Sequence, residues 1–137
     1  MRYKYHPPLG IQKLFSNFIW ETSNNKILLT FDDGPTEAAT LKILNILRTN
    51  KLKAVFFCVG NNIKKCPSIT QKILEDGHVV ANHTMNNKLL TKMNREESIR
   101  EISAFSDLIK EKFNYNVKYF RPPHGKFNLK TNSLTNI

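Results

Sequence analysis

The sequence predicts an α/β fold in which parallel strands alternate with helices. Three observations predict it. Two β-compatible apolar runs, Lys26–Phe31 and Lys53–Val59, recur along the chain, and the second is almost entirely apolar, as in a strand buried on both faces. Between such runs the apolar residues fall at helical spacing. Gly, Pro, Asn and Asp punctuate the junctions, as at Gly34-Pro35, Gly60-Asn61-Asn62 and Asp76-Gly77.

Each element follows in order. Ile11, Leu14, Phe15, Phe18 and Ile19 give a helical face over residues 1–25, expected to pack on the domain as an N-terminal arm. The strand Lys26–Phe31 runs into Asp32-Asp33 and is stopped by Gly34-Pro35. Thr36 can cap a helix with Leu41, Leu44, Ile46 and Leu47 on its apolar face. The strand Lys53–Val59 is expected to end in a turn at Gly60-Asn61-Asn62, followed by a helix over Pro67–Glu75 with Ile69, Ile73 and Leu74 inward. A third strand covers His78–Asn82. Asn94 then caps a long helix, Arg95–Phe113, with Glu96 and Glu97 where the helix dipole favours acids and a stripe of Ile99, Ile102, Phe105, Leu108 and Ile109. A fourth strand, Val117–Phe120, leads into Arg121-Pro122-Pro123-His124-Gly125, and Phe127 reads as a turn aromatic.

At 137 residues, with 40% hydrophobic and 23% charged residues, the chain has the size and balance of one globular domain rather than a disordered segment. Its net charge of +10 would favour acidic polymers, but the lysines are scattered and Lys, Asn and Ile are heavily used together, so the charge says little about mechanism. No stacked-aromatic, zinc-finger or helix-turn-helix signature accompanies it, which argues against nucleic acid as a partner. Cys58 and Cys66 fit no zinc spacing and are expected as free thiols, Cys58 within a buried strand. No apolar run approaches bilayer length, and Gln12, Lys13, Ser16 and Asn17 break the stretch that could serve as a signal-peptide core. A cytoplasmic location is the default expectation.

In α/β folds, sites gather at the carboxyl ends of the strands. Here those ends carry Asp32-Asp33, Gly60-Asn61-Asn62, His83, and Arg121 with His124. Two adjacent carboxylates at one pocket require a cation, either a metal or an arginine, or a shared proton. His78 reads as structural.

With those residues in view, the chain resembles the polysaccharide deacetylases, the NodB-homology domain of carbohydrate esterase family four. Thr30-Phe31-Asp32-Asp33-Gly34-Pro35 matches the family's first motif, Gly77-His78-Val79-Val80-Ala81-Asn82-His83-Thr84 is similar to the start of the second, and Phe120-Arg121-Pro122-Pro123-His124-Gly125 is similar to the third. The resemblance covers roughly residues 26–126 and implies a partial (β/α) barrel, with an N-terminal arm over 1–25 and an incomplete NodB-homology domain over 26–137. It implies a metal-dependent hydrolase that removes N-acetyl groups from amino-sugar polysaccharides such as peptidoglycan or chitin. Asp32 would be the general base, Arg121 its partner, and the His124 backbone N–H an oxyanion donor. Asp33 and His83 would bind a divalent metal, most often zinc. Relatives commonly act at the cell envelope.

The chain also departs from the family pattern. Asn87 stands where the second motif has a further histidine ligand, and an amide oxygen is a weaker zinc donor than imidazole, so lowered metal affinity is expected. His124 replaces the usual aromatic of the third motif, which raises the question of a substitute ligand. The family domain continues past its third motif to a histidine general acid, whereas the present sequence ends at Ile137, so a truncated, inactive relative or a glycan-binding pseudoenzyme is the alternative.

Overall fold

The structure is a computed structural model that describes residues 7–22, 26–128 and Leu134. Among them the elements run α1 (Leu9–Leu14), β1 (Thr30–Gly34), α2 (Glu37–Thr49), β2 (Val55–Cys58), α3 (Gly60–Lys65), α4 (Pro67–Glu75), β3 (Val79–Asn82) and α5 (Arg95–Phe113), with short 3₁₀ turns at Leu90–Lys92 and Pro123–Gly125. The three strands form one parallel sheet in the order β1-β2-β3, with Thr30 opposite Val55 and Val55 opposite Val79. Every residue of the central β2 is buried, as its unbroken apolar run requires.

The core gathers where α2, α4 and α5 pack on this sheet. Leu44 and Leu47 of α2, Phe56 of β2, Ile73 of α4, and Phe105 and Ile109 of α5 belong to one buried cluster. Phe105 and Ile109 are fully buried, each such side chain contributing about 1.5–3 kcal/mol. Local chemistry sets the helix ends. Pro67 opens α4 at its first turn, where a missing N–H costs nothing. A capping box starts α5: Asn94 accepts from the Glu97 N–H at 2.9 Å, and Glu97 accepts from the Asn94 N–H at 2.9 Å. Cys58 lies wholly buried and Cys66 half-buried, both as free thiols, and burial pushes the Cys58 pKa up to about 12.

Five expectations are corrected. The first strand starts at Thr30 rather than Lys26 and runs on through Asp32-Asp33 to Gly34, with Ile27 and Leu28 exposed ahead of it because the neighbouring strand β2 begins only opposite Thr30. The helix α2 buries Leu44 and Leu47 but turns Leu41 and Ile46 outward, and Thr40 occupies the inner face instead, taking the Thr36 N–H on its hydroxyl at 2.8 Å. Gly60-Asn61-Asn62 opens a helix rather than forming a turn, because the Gly60 and Asn61 N–H groups are satisfied by the Thr84 and Met85 carbonyls across the sheet end. The fourth strand reduces to a single parallel bridge, Asn82 with Phe120, flanked by Asn82 N–H to Tyr119 O at 2.8 Å and Arg121 N–H to Asn82 O at 3.0 Å. Among the described residues of the arm, 7–22, Ile11, Leu14 and Ile19 are exposed, Phe15 alone is buried, and the anchor is an aromatic cluster of Phe15, Phe18 and Trp20 against Phe127. Among the described residues no helix is long and apolar enough to cross a membrane.

Candidate active site at the carboxyl ends of the strands

The two aspartates separate by a bulge. Asp32 pairs in register with Phe57 and Gly34 with Cys58, which leaves Asp33 as the extra residue. Asp33 takes a left-handed backbone (φ 65°), which Asp tolerates better than most residues. Its carbonyl accepts from Asn62 Nδ2 at 2.7 Å, so the start of α3 braces the bulge. The two carboxylates thus reach the same end of the sheet but different partners.

Asp32 meets Arg121. The Arg121 Nη1 donates to Asp32 Oδ1 at 2.7 Å and to Thr30 Oγ1 at 3.1 Å, and the guanidinium lies 4.0 Å from the centroid of the Phe57 ring. Both side chains of the ion pair are more than a third exposed, so its worth to stability is about 0–1 kcal/mol and its effect is to fix position. The Asn82–Phe120 bridge is what delivers Arg121 to this end of the sheet.

Asp33 meets His83 and Asn87. His83 is buried, and its Nδ1 lies 2.8 Å from the Arg121 carbonyl. A carbonyl only accepts, so Nδ1 carries a proton, and the ring turns Nε2 toward Asp33 Oδ1 at 3.6 Å. From the third side Asn87 Nδ2 donates to Asp33 Oδ1 at 3.0 Å, while Asn87 Oδ1 is buried with no hydrogen-bond partner among the described residues. Asn87 is left-handed (φ 55°), and its N–H donates to Thr84 Oγ1 at 3.0 Å. His124 stands at the rim, its Nε2 donating to the Asn87 carbonyl at 3.2 Å. As found, therefore, the His124 Nε2 is engaged by the loop backbone.

These contacts test the fit of a divalent cation. A carboxylate oxygen and an imidazole nitrogen face each other, and an amide with an orphaned oxygen lies beside the carboxylate. Donors about 2.0–2.1 Å from a tetrahedral ion sit about 3.4 Å from one another, and the 3.6 Å between Asp33 Oδ1 and His83 Nε2 is close to that spacing, whereas Asn87 Nδ2, 3.0 Å from Asp33 Oδ1, carries hydrogens and is no ligand. Reversing the Asn87 amide would bring its oxygen to the same point. With the amide so reversed, Asp33, His83 and Asn87 would offer a cation two oxygens and one nitrogen. The fit to zinc is imperfect, since among the described residues no three His, Cys, Asp or Glu side chains gather for a metal.

The family model for polysaccharide deacetylase matches residues 20–136. The chain belongs to the polysaccharide deacetylase family. It is 34% identical over 125 residues to a peptidoglycan-N-acetylglucosamine deacetylase of Bacillus cereus, with 91% of the chain and 46% of the relative covered. The structure of a family 4 carbohydrate esterase from Bacillus anthracis superposes with a TM-score of 0.84 at 30% identity, over 99% of this chain and 68% of that one. A mutant of a family 4 pseudoenzyme with restored enzymatic activity superposes with a TM-score of 0.75 at 26% identity, over 82% of this chain and 42% of that one. The parallel sheet alternating with helices is the partial NodB-type (β/α) fold of these esterases. The chain spans about half the length of the Bacillus cereus relative it matches.

Sequence reasoning brought Asp32, Arg121, Asp33, His83, Asn87 and His124 to one place, and the structure collects all six there. It missed Asn62, which braces Asp33, and Glu101, which holds the loop after β3. Asn62 gave no signal, being an ordinary turn residue in sequence. Glu101 did: it lies on the same face as Ser98, Ile102 and Phe105, an acid on the buried stripe of its helix.

Proposed function

We propose that this chain carries the metal and base portion of a hydrolase that removes N-acetyl groups from amino-sugar polysaccharides of the peptidoglycan or chitin kind, acting on a carbon–nitrogen bond other than a peptide bond. The reading is supported above all by one observation: the His83 ring and the Asn87 amide both approach Asp33 Oδ1, one residue along from the Asp32–Arg121 pair. The Bacillus cereus relative is a deacetylase of N-acetylglucosamine in peptidoglycan, which agrees with that substrate class.

Asp33, His83 and Asn87 would hold the divalent cation, which when bound supplies Lewis-acid polarisation of the acetyl carbonyl and acidifies a nearby water. Asp32 takes a proton from the attacking water, held for that task by Arg121 Nη1, which Thr30 Oγ1 in turn steadies. The His124 backbone N–H donates to the oxygen on which negative charge develops, a contribution of about 3 kcal/mol per donor. The Arg121 carbonyl fixes the His83 tautomer, so one residue orients both halves of the site, its side chain at Asp32 and its main chain at His83.

One observation favours a second reading, a glycan-binding pseudoenzyme: the third group is the Asn87 amide, which presents a hydrogen to Asp33 rather than a lone pair. Zinc titration of the purified chain by calorimetry separates the two. The deacetylase reading expects saturable one-site binding that Asp33→Ala and His83→Ala each abolish. Binding that persists in both variants, or is missing in the parent, rejects it.

A further inference from the structure

The loop that carries His83 and Asn87 departs from ordinary backbone geometry. Thr84 (φ 68°) and Asn87 (φ 55°) are both left-handed, and for β-branched Thr84 that conformation is costly, of order 1–3 kcal/mol. Such a path persists only where its surroundings dictate it. Here two helices do so from opposite sides. On one side Gly60 and Asn61, at the start of α3, donate their N–H groups to the Thr84 and Met85 carbonyls. Gly60 has no room for a side chain there, since a Cβ would lie within the Met85 side chain.

On the other side stands Glu101 of α5. Its side chain is buried on the core-facing stripe of the helix, where an apolar residue would cost far less to desolvate. Both carboxylate oxygens are spent on one residue of the loop: Oε2 accepts the Asn86 backbone N–H at 2.9 Å and Oε1 accepts Asn86 Nδ2 at 2.7 Å. The Glu101 carbonyl takes the Met85 N–H at 2.9 Å, and Asn61 Nδ2 closes the frame by donating to Asn86 Oδ1 at 2.7 Å. Lys88 Nζ lies 3.7 Å from Glu101 Oε1, a partner for its charge at the solvent edge. The peptide leading into Asn87 is thereby gripped one residue before the amide that meets Asp33.

We infer that Glu101 is a positioning residue: through Asn86 it sets the backbone from which Asn87 and His83 are presented to Asp33, so that metal affinity depends on a carboxylate that does not touch the metal. The inference rests on the proposed metal site for its functional consequence and on the contacts alone for its structural one, and the two are measured separately.

The donor and acceptor pattern supplies the test. In Glu101→Gln the new amide can face Asn86 correctly on only one of its two atoms, since the other opposes donor to donor. In Asn86→Asp two carboxylates oppose each other. Combining the two substitutions restores complementarity and leaves the summed charge as it was. Hydrogen exchange of the metal-free protein is the first readout: protection over residues 83–88 is expected to fall in Glu101→Gln by at least about tenfold with α5 itself unaffected, and to return in the double variant. Unchanged protection in the single variant, or none regained in the double, overturns the inference. Zinc affinity is the second: a loss of about 10–100-fold in Glu101→Gln is expected, the range for groups that orient metal ligands, with recovery in the double variant. Loss of protection with unaltered zinc affinity would make Glu101 merely structural and overturn its role toward the site. A parent chain that binds no zinc removes the proposed function, while exchange still decides whether the grip exists.

Discussion

Asp33 and Asn87 are 54 positions apart in the chain and meet at 3.0 Å, with the Asn87 amide donating to Asp33 Oδ1. An imidazole at the same place would offer a lone pair where the amide now offers hydrogens. On the proposed reading, that single exchange sets how tightly zinc is held.

Replacing Asn87 by His is therefore expected to strengthen zinc binding by about tenfold or more, comparable to the cost of disturbing an established site. The backbone permits it, because His shares with Asn an enrichment in the left-handed region that residue 87 occupies (φ 55°). Calorimetric titration of parent and variant measures the difference, and equal affinities would show that the position is not a ligand.

Arg121→Lys keeps the charge but loses the planar guanidinium that lies over the Phe57 ring and aims Nη1 at both Asp32 and Thr30. Stability is expected to change by less than about 1 kcal/mol, because the pair is substantially exposed. Acetate release is expected to fall by about 10²-fold or more, since the general base loses its alignment. A variant whose Tm falls in step with its activity would contradict this division.

Much of the fold was legible because local chemistry decides it. Pro67 and the Asn94–Glu97 box mark the starts of α4 and α5, and both helices run over the residues that the sequence indicates. The site was legible where charge demands a partner: Asp32 required a cation and Arg121 supplies it. What local pattern could not reveal depends on distant groups. Gly60-Asn61-Asn62 has turn composition, yet its N–H groups find the Thr84 and Met85 carbonyls and a helix begins. Val117–Phe120 has strand composition, yet pairing reaches only Phe120. Phe127 looked like a turn residue until the arm folded Phe15 and Phe18 against it.

At the opposite end of the sheet, His78 is buried with Nδ1 accepting the Ala54 N–H at 3.3 Å. Burial first, and then the nearby Lys53 charge, hold its pKa below the ordinary 6.5. The unfolded chain consequently binds a proton before the folded one as pH falls. The stabilisation is complete above about pH 6.5 and is lost as pH drops toward the folded value. Thermal unfolding is expected to show Tm falling between about pH 7.5 and pH 5, with a flatter dependence in His78→Gln, whose amide oxygen can still accept from Ala54. An identical slope in the variant would assign the pH dependence elsewhere.

Cys58, wholly buried with its thiol pushed up to about 12, is expected to resist thiol reagents in the native protein. Half-buried Cys66 is expected to react. Labelling followed by peptide mass analysis should modify Cys66 alone until denaturant is added. Early modification of Cys58 would mean that β2 is not the packed centre of the sheet.

Acetate release from N-acetylated chito-oligosaccharides, measured with zinc in excess and again after chelation, tests the account most directly. The proposed deacetylase predicts turnover that chelation removes and zinc restores, lost in Asp32→Asn and raised in Asn87→His. Zinc binding without acetate release in both the parent and Asn87→His would contradict it and leave a chain that holds a metal and performs no hydrolysis.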